Sequence, residues 1–119
     1  MNENKLGAVE SRFADIIWRS EPIESGRLAR LAEQELSWKK STSYTVLKRL
    51  CDRGLFQNVG GIVSAMISRE EFYARQSERF VEENFNGSLP AFLAAFSGRK
   101  KLSDREIDEL ERIIEKMRG

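Results

Sequence analysis

Between positions 39 and 49 the chain carries Lys39, Lys40, Ser41, Thr42, Tyr44, Thr45, Lys48 and Arg49 without an intervening acid. Lysine and arginine donate to phosphate oxygens. Serine, threonine and tyrosine hydroxyls donate or accept at phosphates and base edges, and a threonine methyl suits the methyl of thymine. Ser41, Tyr44, Thr45 and Lys48 fall at i, i+3, i+4 and i+7, so a helix places them on one face; Ser43, Val46, Leu47 and Leu50 repeat that spacing on the opposite face. One side reads as core and the other as a hydroxyl-rich, cationic surface, with Lys39, Lys40 and Arg49 at its margins. The start of the helix, at Ser41 and Thr42, adds backbone amides that favour an anion.

The charge distribution points the same way. Over 119 residues, twenty basic and nineteen acidic groups give a net charge of +1. Residues 1–36 carry five basic and seven acidic groups, a balance of −2; residues 37–67 carry five and one, +4; residues 68–119 carry ten and eleven, −1. The middle segment is a local basic patch, and local field rather than net charge steers a protein toward phosphates. A solvated helix with a lysine excess would show the same balance, so helix position and chemistry must be read together with it.

The elements that would present this face are legible from period and punctuation. Leu6 to Trp18 reads as a helix ending near Ser20, because Pro22 disfavours helix in the residue before it. A second helix starts at Glu24 or Ser25, turns Leu28, Leu31 and Ala32 inward, and closes around Leu36. The third runs to Arg53, with Gly54 at a left-handed stop. Leu55–Val59 and Ile62–Ile67 flank Gly60-Gly61, the pattern of a hairpin with a type I′ turn. Three helices and a hairpin are the order of a winged helix-turn-helix domain. A protein-binding adaptor of the same shape is the alternative.

The second half reads as three more helices. Ser68 with Glu71 and Ser103 with Glu106 have capping-box spacing, and Ser88, after Asn86-Gly87, caps a short helix stopped at Gly98. Ile107, Leu110, Ile114 and Met117 form a narrow seam at steps of three and four. About 50 residues bury little surface by themselves, so Phe72, Phe80, Phe92 and Phe96 together with Ile107, Leu110, Ile114 and Met117 are expected to be covered by a second copy. The expected architecture is mainly α (α+β): a winged helix-turn-helix DNA-binding domain over residues 1–67 and a three-helix dimerisation unit over residues 68–119.

Other classes are disfavoured. The chain has no histidine and one cysteine, Cys51, which removes Ser/His and Cys/His catalytic pairs, most zinc geometries and an internal disulfide. No paired-carboxylate signature, phosphate-cradling glycine loop or metal spacing appears, so neither an enzyme nor a cofactor is expected. No apolar run has the length of a membrane span, and MNENKLGAVE lacks a secretion-signal pattern, which gives a cytoplasmic expectation. Cys51, Trp18 and Trp38 read as packing residues, Asn86-Gly87-Ser88 as a turn and cap, and Gly98-Arg99-Lys100-Lys101 as a solvated loop.

LGAVESRFADIIWRSEPIESGRLARL followed by WKKSTSYTVLKRLCDRGLF resembles the DNA-binding half of the penicillinase-repressor (BlaI/MecI/CopY) family of bacterial winged-helix regulators. FYARQSERFVEENFNGSLPAFLAAFSGRKKLSDREIDELERII resembles its dimerisation half, so the resemblance covers residues 6 to 117. It implies a homodimeric repressor on a palindromic double-stranded DNA operator, with the third helix in the major groove. Ser41, Thr42, Tyr44 and Thr45 would take base and backbone contacts, Lys48 and Arg49 phosphates, and Lys39 and Lys40 the approach. It also implies a membrane sensor protease as partner, cutting at the region of Ala95 and Phe96. Here Ala95 replaces the usual asparagine, which puts that cleavage in doubt. The tail lacks the cysteine cluster of the copper-responsive branch, and the hairpin from Phe56 to Val63 lacks the lysines and arginines of basic-winged relatives.

Overall fold

The structure, a computed structural model, describes residues 6 to 119; the part of the expected N-terminal domain before Leu6 lies outside the described residues. Helix α1 (Ala8–Ser20) buries Phe13, Ala14, Ile16 and Ile17 and ends where Glu21 donates its N–H to the Ile17 carbonyl at 2.8 Å, immediately before Pro22. A two-residue strand, β1 (Ile23–Glu24), leads into α2 (Ser25–Leu36), which buries Leu28, Ala29 and Ala32. Ser37 ends α2 in the left-handed region at φ 59°. Helix α3 (Lys40–Asp52) follows, then the hairpin strands β2 (Phe56–Val59) and β3 (Ile62–Ala65).

Gly60 and Gly61 join the two strands at φ +59° and +86°. A side chain at either position would be strained, which is why two consecutive glycines work as a type I′ turn. The antiparallel sheet has the order β1-β3-β2, with Ile23 opposite Val63 and Phe56 opposite Ala65. Strand β1 has no counterpart in the sequence reading, since two residues carry no periodicity. Its pairing also changes the expected cap of α2: the Glu24 side chain makes no capping bond, and the Ser25 N–H donates to the Gly61 carbonyl at 2.8 Å instead.

Phe13, Ile17, Leu28, Leu50, Phe56 and Val63 are fully buried, one set of side chains drawn from three helices and the sheet. Each such residue contributes about 1.5–3 kcal/mol of transfer free energy. Trp18 sits between this core and the hairpin, its ring 5.2 Å from Phe56, and its Nε1–H donates to the Ile67 carbonyl at 2.9 Å. Trp38 stacks on Phe13 at 4.9 Å. Both tryptophans therefore pack the fold.

The chain divides into two compact units, one ending at Ser77 and one from Glu78 to Gly119, so α4 (Arg69–Phe85) begins in the first and ends in the second. Phe72, expected in the dimer face, is instead buried at 4% exposure in the core of the first unit, 5.7 Å from Trp18. Phe72 and Phe80 share a helix face at a spacing of eight, and that spacing cannot say where along α4 the first core ends. The second unit continues through α5 (Leu89–Ser97) and α6 (Asp104–Met117). The Ser88 hydroxyl accepts from the Ala91 N–H at 3.1 Å, and Ser103 and Glu106 close a reciprocal capping box. At the start of α4, the Ser68 hydroxyl accepts from the Glu71 N–H while the Glu71 carboxylate pairs with Arg75.

Candidate nucleic-acid interface

Helix α3 is a two-faced element. Ser43, Val46, Leu47 and Leu50 are buried against α1, α2 and the hairpin, while Lys39, Lys40, Ser41, Thr42, Tyr44, Thr45, Lys48 and Arg49 are exposed. The helix carries no acid in its first turn, and Lys39 at the cap position makes no side-chain capping bond. The Thr42 N–H, expected to favour an anion, is taken by the Lys39 carbonyl at 3.0 Å, so donor capacity toward solvent is left to the amides before it. Lys40 Nζ lies 6.0 Å from the centroid of the Tyr44 ring, and Tyr44 is 37% exposed. Cation, aromatic and hydroxyls are thereby held together by the burial of the opposite stripe.

The two cations at the far end of the helix are differently placed. Lys48 pairs with Asp52 one turn along the helix at 3.2 Å. Arg49 reaches back across the fold to Glu10 of α1 at 3.0 Å, where the Gly7 N–H also donates to the Glu10 carboxylate at 3.2 Å. Burial pushes the Glu10 carboxyl up, but those two hydrogen bonds and the charges of Arg49 and Arg53 outweigh it and hold its pKa below the ordinary value. A phosphate taken by Arg49 must compete with this pair.

A carboxyl whose pKa is lowered by folding stabilises the native state above its unfolded pKa of about 4.3, and that stabilisation disappears as pH falls through the folded value. Arg49 is half-exposed, so the pair is screened and contributes about 0.5–1 kcal/mol. Glu10→Gln is expected to lower thermal stability by that amount at neutral pH and to converge on the wild type in acid. Melting curves taken from neutral pH to below pH 4 would refute this if the gap stayed constant.

Ser43 adds a second expectation. It is 2% exposed, and its hydroxyl has no hydrogen-bond partner. A buried hydroxyl without a partner costs about 1–3 kcal/mol, and alanine is the better helix former. Ser43→Ala should therefore raise stability by about 1 kcal/mol, a Tm increase of about 4–8 °C for a unit of this size. Calorimetry showing a lower Tm would mean that the hydroxyl is satisfied in solution. Cys51 is half-buried; burial, and secondarily Asp52, push its thiol up, which suits a packing residue.

The hairpin contributes no cation. Its amide side chains, Gln57 and Asn58, are both exposed, and Gln57 donates across the strands to Ser64 at 3.1 Å. Among the described residues no group of histidine, cysteine, aspartate or glutamate side chains is arranged to hold a metal, and no helix is long and apolar enough to cross a membrane.

The second unit leaves its apolar side open. No residue of α5 or α6 is buried. Phe80, Phe96, Ile107, Ile114 and Met117 are between 41% and 69% exposed. Phe92 gathers Phe80, Phe85 and Phe96 at centroid distances of 5.6 to 6.2 Å, and Phe92, Leu93, Phe96, Leu110 and Ile113 line a cleft of about 290 Å³ between the two helices. Ala95 and Phe96 both lie on exposed turns within α5.

Comparison with known proteins decides the family. The model of the penicillinase repressor family matches residues 6–116, spanning both units. The chain belongs to the penicillinase repressor family. Among curated relatives it is 24% identical over 115 residues to the penicillinase repressor of Bacillus licheniformis, covering 93% of this chain and 90% of that protein. It is 21% identical to the methicillin resistance regulatory protein MecI of Staphylococcus aureus over 116 residues, 94% of each chain, and 20% identical to MecI of Mammaliicoccus sciuri with the same coverage. Because a penicillinase repressor match runs through α4, α5 and α6 as well as α3, the resemblance seen in the sequence applies to the whole architecture.

Proposed function

We propose that this chain is a DNA-binding transcriptional repressor acting as a homodimer, with α3 of each protomer in the major groove of a palindromic operator. The observation that carries the reading is the exposed face of α3, where Ser41, Tyr44, Thr45 and Lys48 stand over a buried stripe that holds the helix rigidly. Rigid placement matters because base edges are told apart by hydrogen bonds with narrow geometry. The names of the relatives support repression.

Pairing supplies the second half-site. A covered α5/α6 face stabilises the second unit, and two-fold symmetry doubles the DNA contacts. Lys39 and Lys40 would hold the backbone at the start of α3 and Lys48 further along it, while Ser41, Thr42, Tyr44 and Thr45 contact bases and nearby backbone. A sensor protease that cut between Ala95 and Phe96 would sever α5 and release the dimer, although an alanine stands where such a protease is expected to meet asparagine.

The test is footprinting of the DNA upstream of the chain's own gene, with dimerisation followed by sedimentation. A protected palindrome spanning two half-sites one helical turn or a multiple apart supports the reading. A dimer with no sequence preference at physiological salt would instead favour the adaptor.

A further inference from the structure

Apart from Arg53, whose charge acts on Glu10, the described cations of the first unit fall into two sets. Arg12, Arg19, Arg49, Arg69 and Arg75 each bond a carbonyl or carboxylate of the fold, and Lys48 pairs with Asp52. Arg27, Arg30, Lys39 and Lys40 have no ion-pair partner among the described residues, although Glu24 and Glu33 lie on the same helix as the two arginines or at its edge. Two of these four, Lys39 and Lys40, already belong to the α3 surface. The other two are on α2.

Arg27, Arg30 and Lys40 line one open groove between α2 and the start of α3, together with Glu24 and Glu33. Gly26 shows how the two helices meet there: a Cβ at this position would lie 3.9 Å from the Tyr44 hydroxyl. Arg30 is one turn beyond Gly26 on the same face of α2, and Lys40 is one turn before Tyr44 on α3. The groove is thus continuous with the exposed face of α3, and its three cations outnumber its two carboxylates. A long cation without an acidic partner is available to an anion without first losing a bond, whereas Arg49 must leave Glu10.

We propose that Arg27 and Arg30 of α2 bind the phosphate backbone of the DNA whose bases α3 contacts, so that one strand runs along the groove between the two helices. This rests on the reading of the chain as a DNA-binding repressor. It shifts the electrostatic anchoring of each half-site from Arg49 to the α2 arginines and Lys40. Glu24 and Glu33 border the groove and confine the phosphates to the cationic positions. Arginine suits the task because its planar fork donates two parallel bonds to one phosphate.

The experiment measures the slope of log affinity against log KCl for the full chain on its footprinted operator. Arg27→Gln/Arg30→Gln keeps side-chain length and polarity without charge, and both positions are exposed, so folding should be unchanged by circular dichroism and melting. Four phosphate contacts per dimer at about 0.9 each predict a slope shallower by about 3.6. Arg27→Lys/Arg30→Lys should restore most of it, and Arg49→Ala should change it by less than about half a unit. A Gln double variant with the wild-type slope, on an operator that the wild type and a Lys48→Ala control still recognise, overturns the α2 contacts and leaves the repressor reading standing. A wild type without operator preference overturns both.

Discussion

Tyr44→Ala/Thr45→Ala is expected to reduce operator affinity about a thousand-fold while leaving binding to scrambled DNA nearly unchanged. Each good contact to a base edge contributes about 1–3 kcal/mol of discrimination. Two contacts in each of two half-sites give about 4 kcal/mol at the lower limit, which is close to three decades in Kd. Lys48→Ala should behave differently. It removes one phosphate contact per protomer, so affinity falls for all sequences and the salt slope becomes shallower by about 1.8. The side chains concerned are exposed, and the stripe that holds α3 is on its other side, so melting should barely change. Competition titrations with operator and scrambled duplexes separate the two effects. Equal losses on both DNAs for the tyrosine and threonine variant would show that α3 does not read bases.

Phe72→Ala should unfold the first unit rather than dissociate a dimer. Phe72 is 4% exposed and its ring contacts Trp18 at 5.7 Å and Tyr73 at 5.1 Å. Truncating a buried phenylalanine costs about 3–5 kcal/mol, much of the stability available to a small domain. The matched comparison is Phe96→Ala, at a side chain 44% exposed on α5, which should leave the melting of the first unit intact and weaken self-association. Near-ultraviolet circular dichroism reports the Trp18 environment, and sedimentation reports assembly. If Phe72→Ala kept its near-ultraviolet signal and lost only its dimer, the placement of Phe72 in the first core would be wrong.

These variants also mark where sequence reading stopped. The inward set Ser43, Val46, Leu47 and Leu50 was readable because a helix repeats every 3.6 residues, and the outward set followed from the same period. The hairpin turn was readable because Gly60-Gly61 is one of few pairs that accept positive φ twice. The Ser88 and Ser103 caps are local hydrogen bonds within four residues, so their spacing carried them. The pairing of Glu10 with Arg49, 39 positions apart, leaves no such trace. Arg27 and Arg30 were hidden for the opposite reason: they lie in a segment whose balance is negative, and only the ion pairs of the folded chain take Glu10, Asp15 and Glu35 out of that count.

Local periodicity, turn chemistry and the uneven placement of charge were enough to determine three helices and a hairpin, the face of α3 turned to solvent, and the helical second half. The folded chain alone decided which cations are held in ion pairs, that β1 joins the sheet, that the Gly61 carbonyl satisfies the first amide of α2, and that Phe72 belongs to the first core. The division has a physical reason. Helix, turn and cap preferences arise from interactions within a few residues, whereas ion pairing, strand addition and burial depend on which distant segments come within a few ångströms of one another.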